Sequence, residues 1–109
     1  MEIKKEKIKD FCVLMIEGRI DTTNFNQFEI EINLLFNSGE KNFVFNCEGL
    51  NYISSSGLRV FLIAQKKSIS LNGKLHLCNL QPNIKEIFDI SGFSSIFKIY
   101  ETQEQALEA

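Results

Sequence analysis

The chain has 109 residues, 44% hydrophobic and 24% charged, with twelve Lys and Arg against fourteen Asp and Glu for a formal net charge of -2. A chain of this length buries about two-thirds of the surface its unfolded form exposes, enough for one core without staples, and the composition excludes a disordered chain. With no excess of positive charge to engage a phosphate backbone, direct nucleic-acid binding is not expected.

Taken in order, Ile3 to Ile8 mixes charge with few apolar residues and predicts an edge strand, while Phe11 to Ile16 is a continuous apolar run and predicts a buried one. The chain should open with a hairpin. Phe25, Phe28, Ile32, Leu35 and Phe36 recur at helical spacing, after the cap candidates Thr22, Thr23 and Asn24 and before Asn37-Ser38-Gly39, and predict an amphipathic helix. Phe43-Val44-Phe45 reads as a second buried strand, and Leu58, Phe61, Leu62 and Ile69 as a second helix that ends near Asn72-Gly73. Lys74 to Cys78 alternates like a strand, and Pro82 suits the first turn of a helix bearing Ile84, Ile87 and Phe88 that stops at Gly92. Phe97 to Tyr100 is a last strand, and Thr102 and Gln105 stand at capping-box spacing before a short terminal helix. Strands alternating with helices of these lengths imply an α/β fold, a largely parallel sheet packed by helices.

No stretch approaches the roughly 18 apolar residues of a membrane span, and the basic opening Met1 to Lys7 leads to no small-residue cleavage site. Cys12, Cys47 and Cys78 are odd in number, widely spaced and set in apolar segments. They fit neither a disulfide framework nor a CxxC pair and are expected as reduced core residues of a cytoplasmic protein.

Two segments could carry function. Leu50-Asn51-Tyr52-Ile53-Ser54-Ser55-Ser56-Gly57-Leu58 joins the Phe43 strand to the second helix and reads as an exposed loop at the carboxyl end of a parallel strand, where open α/β sheets keep their working sites. One serine suffices to cap the helix, and three are present. A phosphoserine here would carry about -1.5 to -2 charges at a helix N-terminus that favours them, with Arg59 one turn further on to shield it. The second segment, Glu17-Gly18-Arg19-Ile20-Asp21-Thr22-Thr23-Asn24, reads as a turn with caps before the first helix. A GxSxG elbow is absent, because Tyr52, Ile53 and Ser54 precede Ser55. The single histidine, His76, is expected to be a solvated strand residue rather than a general base, and neither a GxGxxG nor a GxxxxGK[ST] loop occurs. No catalytic residue, metal site or cofactor is expected.

These two segments, with the tail from Asn79-Leu80-Gln81-Pro82 through Ile87-Phe88 to Ser91-Gly92-Phe93 and Phe97, resemble the STAS-domain family of bacterial anti-sigma factor antagonists over essentially the whole chain. Gly18 to Asn24 is similar to that family's glycine, hydrophobic, aspartate turn. Tyr52 to Arg59 is similar to its hallmark Asp-Ser-Ser-Gly or Ser-Ser-Ala-Gly loop, with Ser54 standing where an acid commonly precedes the modified serine. Asn46 stands where many members carry an aspartate.

The resemblance implies one STAS domain over residues 1 to 109, with a mostly parallel four- to five-stranded sheet, an N-terminal antiparallel strand and about four helices. It further implies an antagonist that binds an anti-sigma serine kinase of the GHKL type and releases a sigma factor until phosphorylation at Ser55, with Ser54 and Ser56 as alternative positions, ends that binding. A serine phosphatase would reset it. The implied binding surface takes in Asp21, Thr22, Asn24, Ser54, Ser55, Ser56, Gly57 and Arg59. The free chain is expected to be a monomer away from membranes. The alternative is a STAS module that binds a ligand or scaffold in another signalling or lipid-transport complex.

Overall fold

Antiparallel pairing starts the molecule. In the computed structural model, which describes Met1–Ala109, strand β1 (Glu2–Ile8) folds back on β2 (Phe11–Ile20) with Ile8 opposite Phe11 and Glu2 opposite Glu17. Helix α1 (Phe25–Asn37) returns the chain so that β3 (Phe43–Asn46) lies parallel to β2. Strand β4 (Leu50–Ile53) follows, then helix α2 (Ser55–Ser70), β5 (Leu75–Cys78), helix α3 (Pro82–Ser91), a 3-10 turn at Phe93–Ser95, β6 (Lys98–Tyr100) and helix α4 (Gln103–Glu108). The order across the six-stranded sheet is β1-β2-β3-β5-β6, all parallel after the first pair, with β4 joined to β2. The fold is α/β, with four helices.

The ten residues of β2 are long enough to hold two partners in succession. Met15 pairs with Asn46 of β3, and Gly18 pairs with Leu50 of β4. Between these pairs three residues of the β3–β4 chain, 47–49, oppose two of β2, Ile16 and Glu17, and the register shifts again between Gly18 and Arg19. Gly18 has φ +95, a backbone conformation that costs glycine little and an L side chain a great deal. These irregularities swing the end of β2 toward β4.

Alternation along the strands divides the core. Cys12, Leu14, Ile16, Phe43, Phe45, Leu75 and Leu77 face α1, α2 and α3 in the main cluster, where Phe28, Phe45, Phe61 and Phe88 meet edge to face or tilted at centroid separations of 5.1 to 6.1 Å. Phe11, Val13, Val44 and Cys78 face the other way and pack against Ala106 of α4. Two faces are therefore covered, and β5 is buried at every position.

Three sequence expectations change. His76 is not solvated: it is 3% exposed, its ring tilted against those of Phe11 and Tyr100, with Nδ1 2.9 Å from the Ala106 carbonyl, because α4 covers the face on which an alternating strand would leave it in water. Leu50 to Ile53 is a strand rather than exposed loop, with Leu50 and Ile53 buried. The early strand runs on to Ile20, so only Asp21 to Asn24 remains a turn.

Candidate functional site

Parallel pairing of Ile20 with Ile53 places the ends of β2 and β4 side by side, and the Ser54 amide donates to the Ile20 carbonyl at 2.8 Å. Asp21 and Ser54 therefore leave the sheet as neighbours. From there one chain enters α1 and the other enters α2.

The Asp21 turn is closed by its own side chains. Asp21 Oδ1 accepts from the Thr23 amide at 2.9 Å and from Thr23 Oγ1 at 2.6 Å, an Asx-type turn. These two donors, with Arg19 Nε 3.8 Å from Oδ2, hold the Asp21 carboxyl below the usual carboxylate range and keep it ionised. Asn24, at the N-cap position of α1, makes no side-chain cap bond. Its amide turns back instead: Oδ1 accepts from the Asp21 amide at 2.9 Å and Nδ2 donates to the Arg19 carbonyl at 2.8 Å. Thr22 stays exposed at the tip.

The three serines separate by role. Ser54 is extended (φ -81, ψ 170), 9% exposed, and its Oγ accepts from the Gly57 amide at 3.2 Å, so it is the N-cap of α2. Ser55 is the first helical residue and is exposed; Ser56 is half-buried. Gly57 is buried against the strand ends, and a Cβ there would stand 2.7 Å from Ile20 Cγ2 and 2.8 Å from Ile53 Cγ1. Only glycine lets the first turn of α2 seat on β2 and β4. That turn contains no acidic residue, so the positive end of the helix dipole is uncompensated.

The structure thus gathers the expected residues at one end of the sheet. Ser56 and Arg59 also line a groove of about 270 Å³ between α1 and α2, with Phe25, Glu29, Val60 and Ile63. Sequence reasoning missed two flanking residues: the Arg19 guanidinium lies 4.2 Å from the centre of the Tyr52 ring, a cation–π contact at the rim. Their proximity follows from the β2–β4 register, which has no local signal. Asn46 is not part of this site; it donates to Gln103 Oε1 at 2.8 Å and ties β3 to α4.

The single histidine, His76, is committed to Ala106, and its pKa is pushed down by burial. Burial likewise raises the thiol pKa values of Cys12, Cys47 and Cys78, all of them free. No group of three or more His, Cys, Asp or Glu side chains could hold a metal ion, and no helix is long and apolar enough to cross a membrane.

The STAS domain family profile matches residues 2–106, and the chain belongs to that family. A candidate anti-sigma factor antagonist, BtrV of Bordetella bronchiseptica, is 37% identical over 109 residues, covering 100% of this chain and 94% of its own. Among solved structures, that of a candidate anti-sigma factor antagonist of Thermotoga maritima superposes with a TM-score of 0.93 at 20% identity, over 97% of this chain and 92% of its own. SpoIIAA of Bacillus, solved in its phosphorylated form, superposes with a TM-score of 0.76 at 22% identity, over 98% of this chain and 97% of its own.

Proposed function

We propose that the chain is an anti-sigma factor antagonist that works by partner switching: unmodified, it binds an anti-sigma serine kinase of the GHKL type and so frees a sigma factor, and phosphorylation of Ser55 ends that binding. The observation that carries the reading is the division of labour among the serines. Ser54 is occupied as the cap and Ser56 lies half-buried in the groove, which leaves Ser55 as the exposed hydroxyl. The name of the Bordetella relative, a candidate anti-sigma factor antagonist, supports the same function.

A phosphate on Ser55 would sit at the uncompensated N-terminus of α2, where negative charge is favourable, so the domain tolerates it and the effect falls on the partner. Complete switching between bound and free takes about 5.5 kcal/mol of differential affinity, and like charges forced together across an interface cost several kcal/mol. One phosphate is enough for most of a switch. A serine phosphatase restores the binding form. The role is regulatory, and the chain acts in the cytoplasm.

Binding to an anti-sigma serine kinase of the GHKL type, read as release of sigma factor from a preformed complex, tests the reading. Unmodified chain and Ser55→Ala should both release sigma, and Ser55→Ala should go on doing so in the presence of ATP. Failure of both to bind any such kinase would sink it.

A further inference from the structure

Helix α2 is electrically unlike the rest of the molecule. Its sixteen residues hold Arg59, Lys66 and Lys67 and none of the fourteen acidic residues, whereas the remainder carries nine basic against fourteen acidic. Of the nine cations elsewhere, five have a carboxylate within 4 Å: Lys4, Lys5, Lys7, Arg19 and Lys85. Arg59, Lys66 and Lys67 have no carboxylate within 4 Å. Lys67 leans over the Phe36 ring of α1 at 5.0 Å. Ser55, Arg59, Lys66 and Ser70 are all exposed and fall on one line along the helix, at steps of four, seven and four residues. Ile63 and Ile69 border that line with 41% and 58% of their surface exposed.

We infer that the partner bound by the serine loop presents an acidic surface with apolar side chains to the outer face of α2, engaging Arg59 and Lys66 and filling the groove of Phe25, Val60 and Ile63. This rests on the antagonist reading above and names the chemistry of its partner. Charge complementarity selects it, since α2 carries three cations with no carboxylate within 4 Å and none of the acids of an acidic chain, and its apolar-bordered basic stripe begins at Ser55 itself. An anionic membrane fits less well, because the apolar face of α2, with Leu58, Phe61 and Ala64, is already buried in the core and cannot insert. The inference also gives a physical reason for the switch. A phosphate on Ser55 lies one turn from Arg59, about 6 Å along the axis, where it cancels the stripe's charge and faces the partner's acids.

The test measures the affinity of the whole chain for its anti-sigma kinase between about 50 and about 300 mM NaCl, for wild type, Lys66→Gln, Lys66→Glu and Lys98→Glu. Expected are wild-type binding that weakens with salt, a loss of about threefold for Lys66→Gln and about tenfold for Lys66→Glu, and no change for Lys98→Glu, an exposed cation on β6. Binding that ignores salt and Lys66 overturns the acidic-partner inference and leaves the antagonist reading intact. Phosphatidylglycerol vesicles that retain wild type but not Lys66→Glu overturn it in favour of a membrane. No binding by wild type at either salt removes the antagonist reading and this inference together.

Discussion

Ser54 donates its amide to the carbonyl of Ile20 at 2.8 Å and accepts, through its hydroxyl, the amide of Gly57 at 3.2 Å. One residue thus locks the end of β2 to the start of α2, and residues far apart in sequence, Asp21 and Ser55, reach the same end of the sheet. The roles of the neighbouring serines follow from that lock.

Ser54→Ala should remove the cap and destabilise the domain by about 1 kcal/mol, whereas Ser55→Ala, at an exposed position, should stay within about 0.5 kcal/mol of wild type. Urea unfolding of both variants checks this. Equal losses would mean that Ser54 is not the cap.

Gly57→Ala should cost about 1–3 kcal/mol, since its methyl would meet Ile20 and Ile53 at distances no Cβ normally reaches. The substitution would ordinarily favour a helix by up to about 1 kcal/mol, so a net loss isolates the steric term. A stabilised variant would show that α2 can lift away from the strand ends freely.

His76 makes stability depend on pH. Burial lowers its pKa most strongly, the Ala106 carbonyl opposes this, and Lys74 and Lys98 add to the lowering. The unfolded chain takes up the proton near the ordinary value of about 6.5 while the folded chain does so only below it, so stability is lost as pH falls from about 6.5 through the folded value. His76→Asn, which keeps a donor for Ala106 but does not titrate, should lose less stability than wild type between about pH 7.5 and 5.5. Identical pH profiles would contradict this role for His76.

The helices were legible because Phe28, Ile32 and Phe36, or Leu58 and Phe61, repeat on one buried stripe, although Leu62, read with the second of these, is half-buried and Ile69 is exposed. The serine run and the Asp21 turn could also be found as segments. Local patterns could not show their adjacency, which only the family resemblance implied, because it depends on β4, a four-residue strand with buried ends and an exposed middle that shows neither alternation nor a continuous apolar run. Alternation in Leu75-His76-Leu77 pointed His76 to the correct face but not to its burial, which depends on α4 returning from the far end of the chain. Asn24 was legible as a cap by type and position, yet its amide closes the preceding turn, since the Arg19 carbonyl and Asp21 amide are both within reach.

The central claim is that one exposed hydroxyl, Ser55, is the switch. Incubation of the intact chain with its anti-sigma kinase and ATP, followed by mass-spectrometric mapping of the phosphate and a binding assay on the product, tests it most directly. A single phosphate on Ser55, loss of kinase binding in the modified chain and no phosphate on Ser55→Ala are expected. A phosphate carried by Ser54 or Ser56 with Ser55 unmodified, or a Ser55-phosphorylated chain that still binds the kinase, would contradict the account.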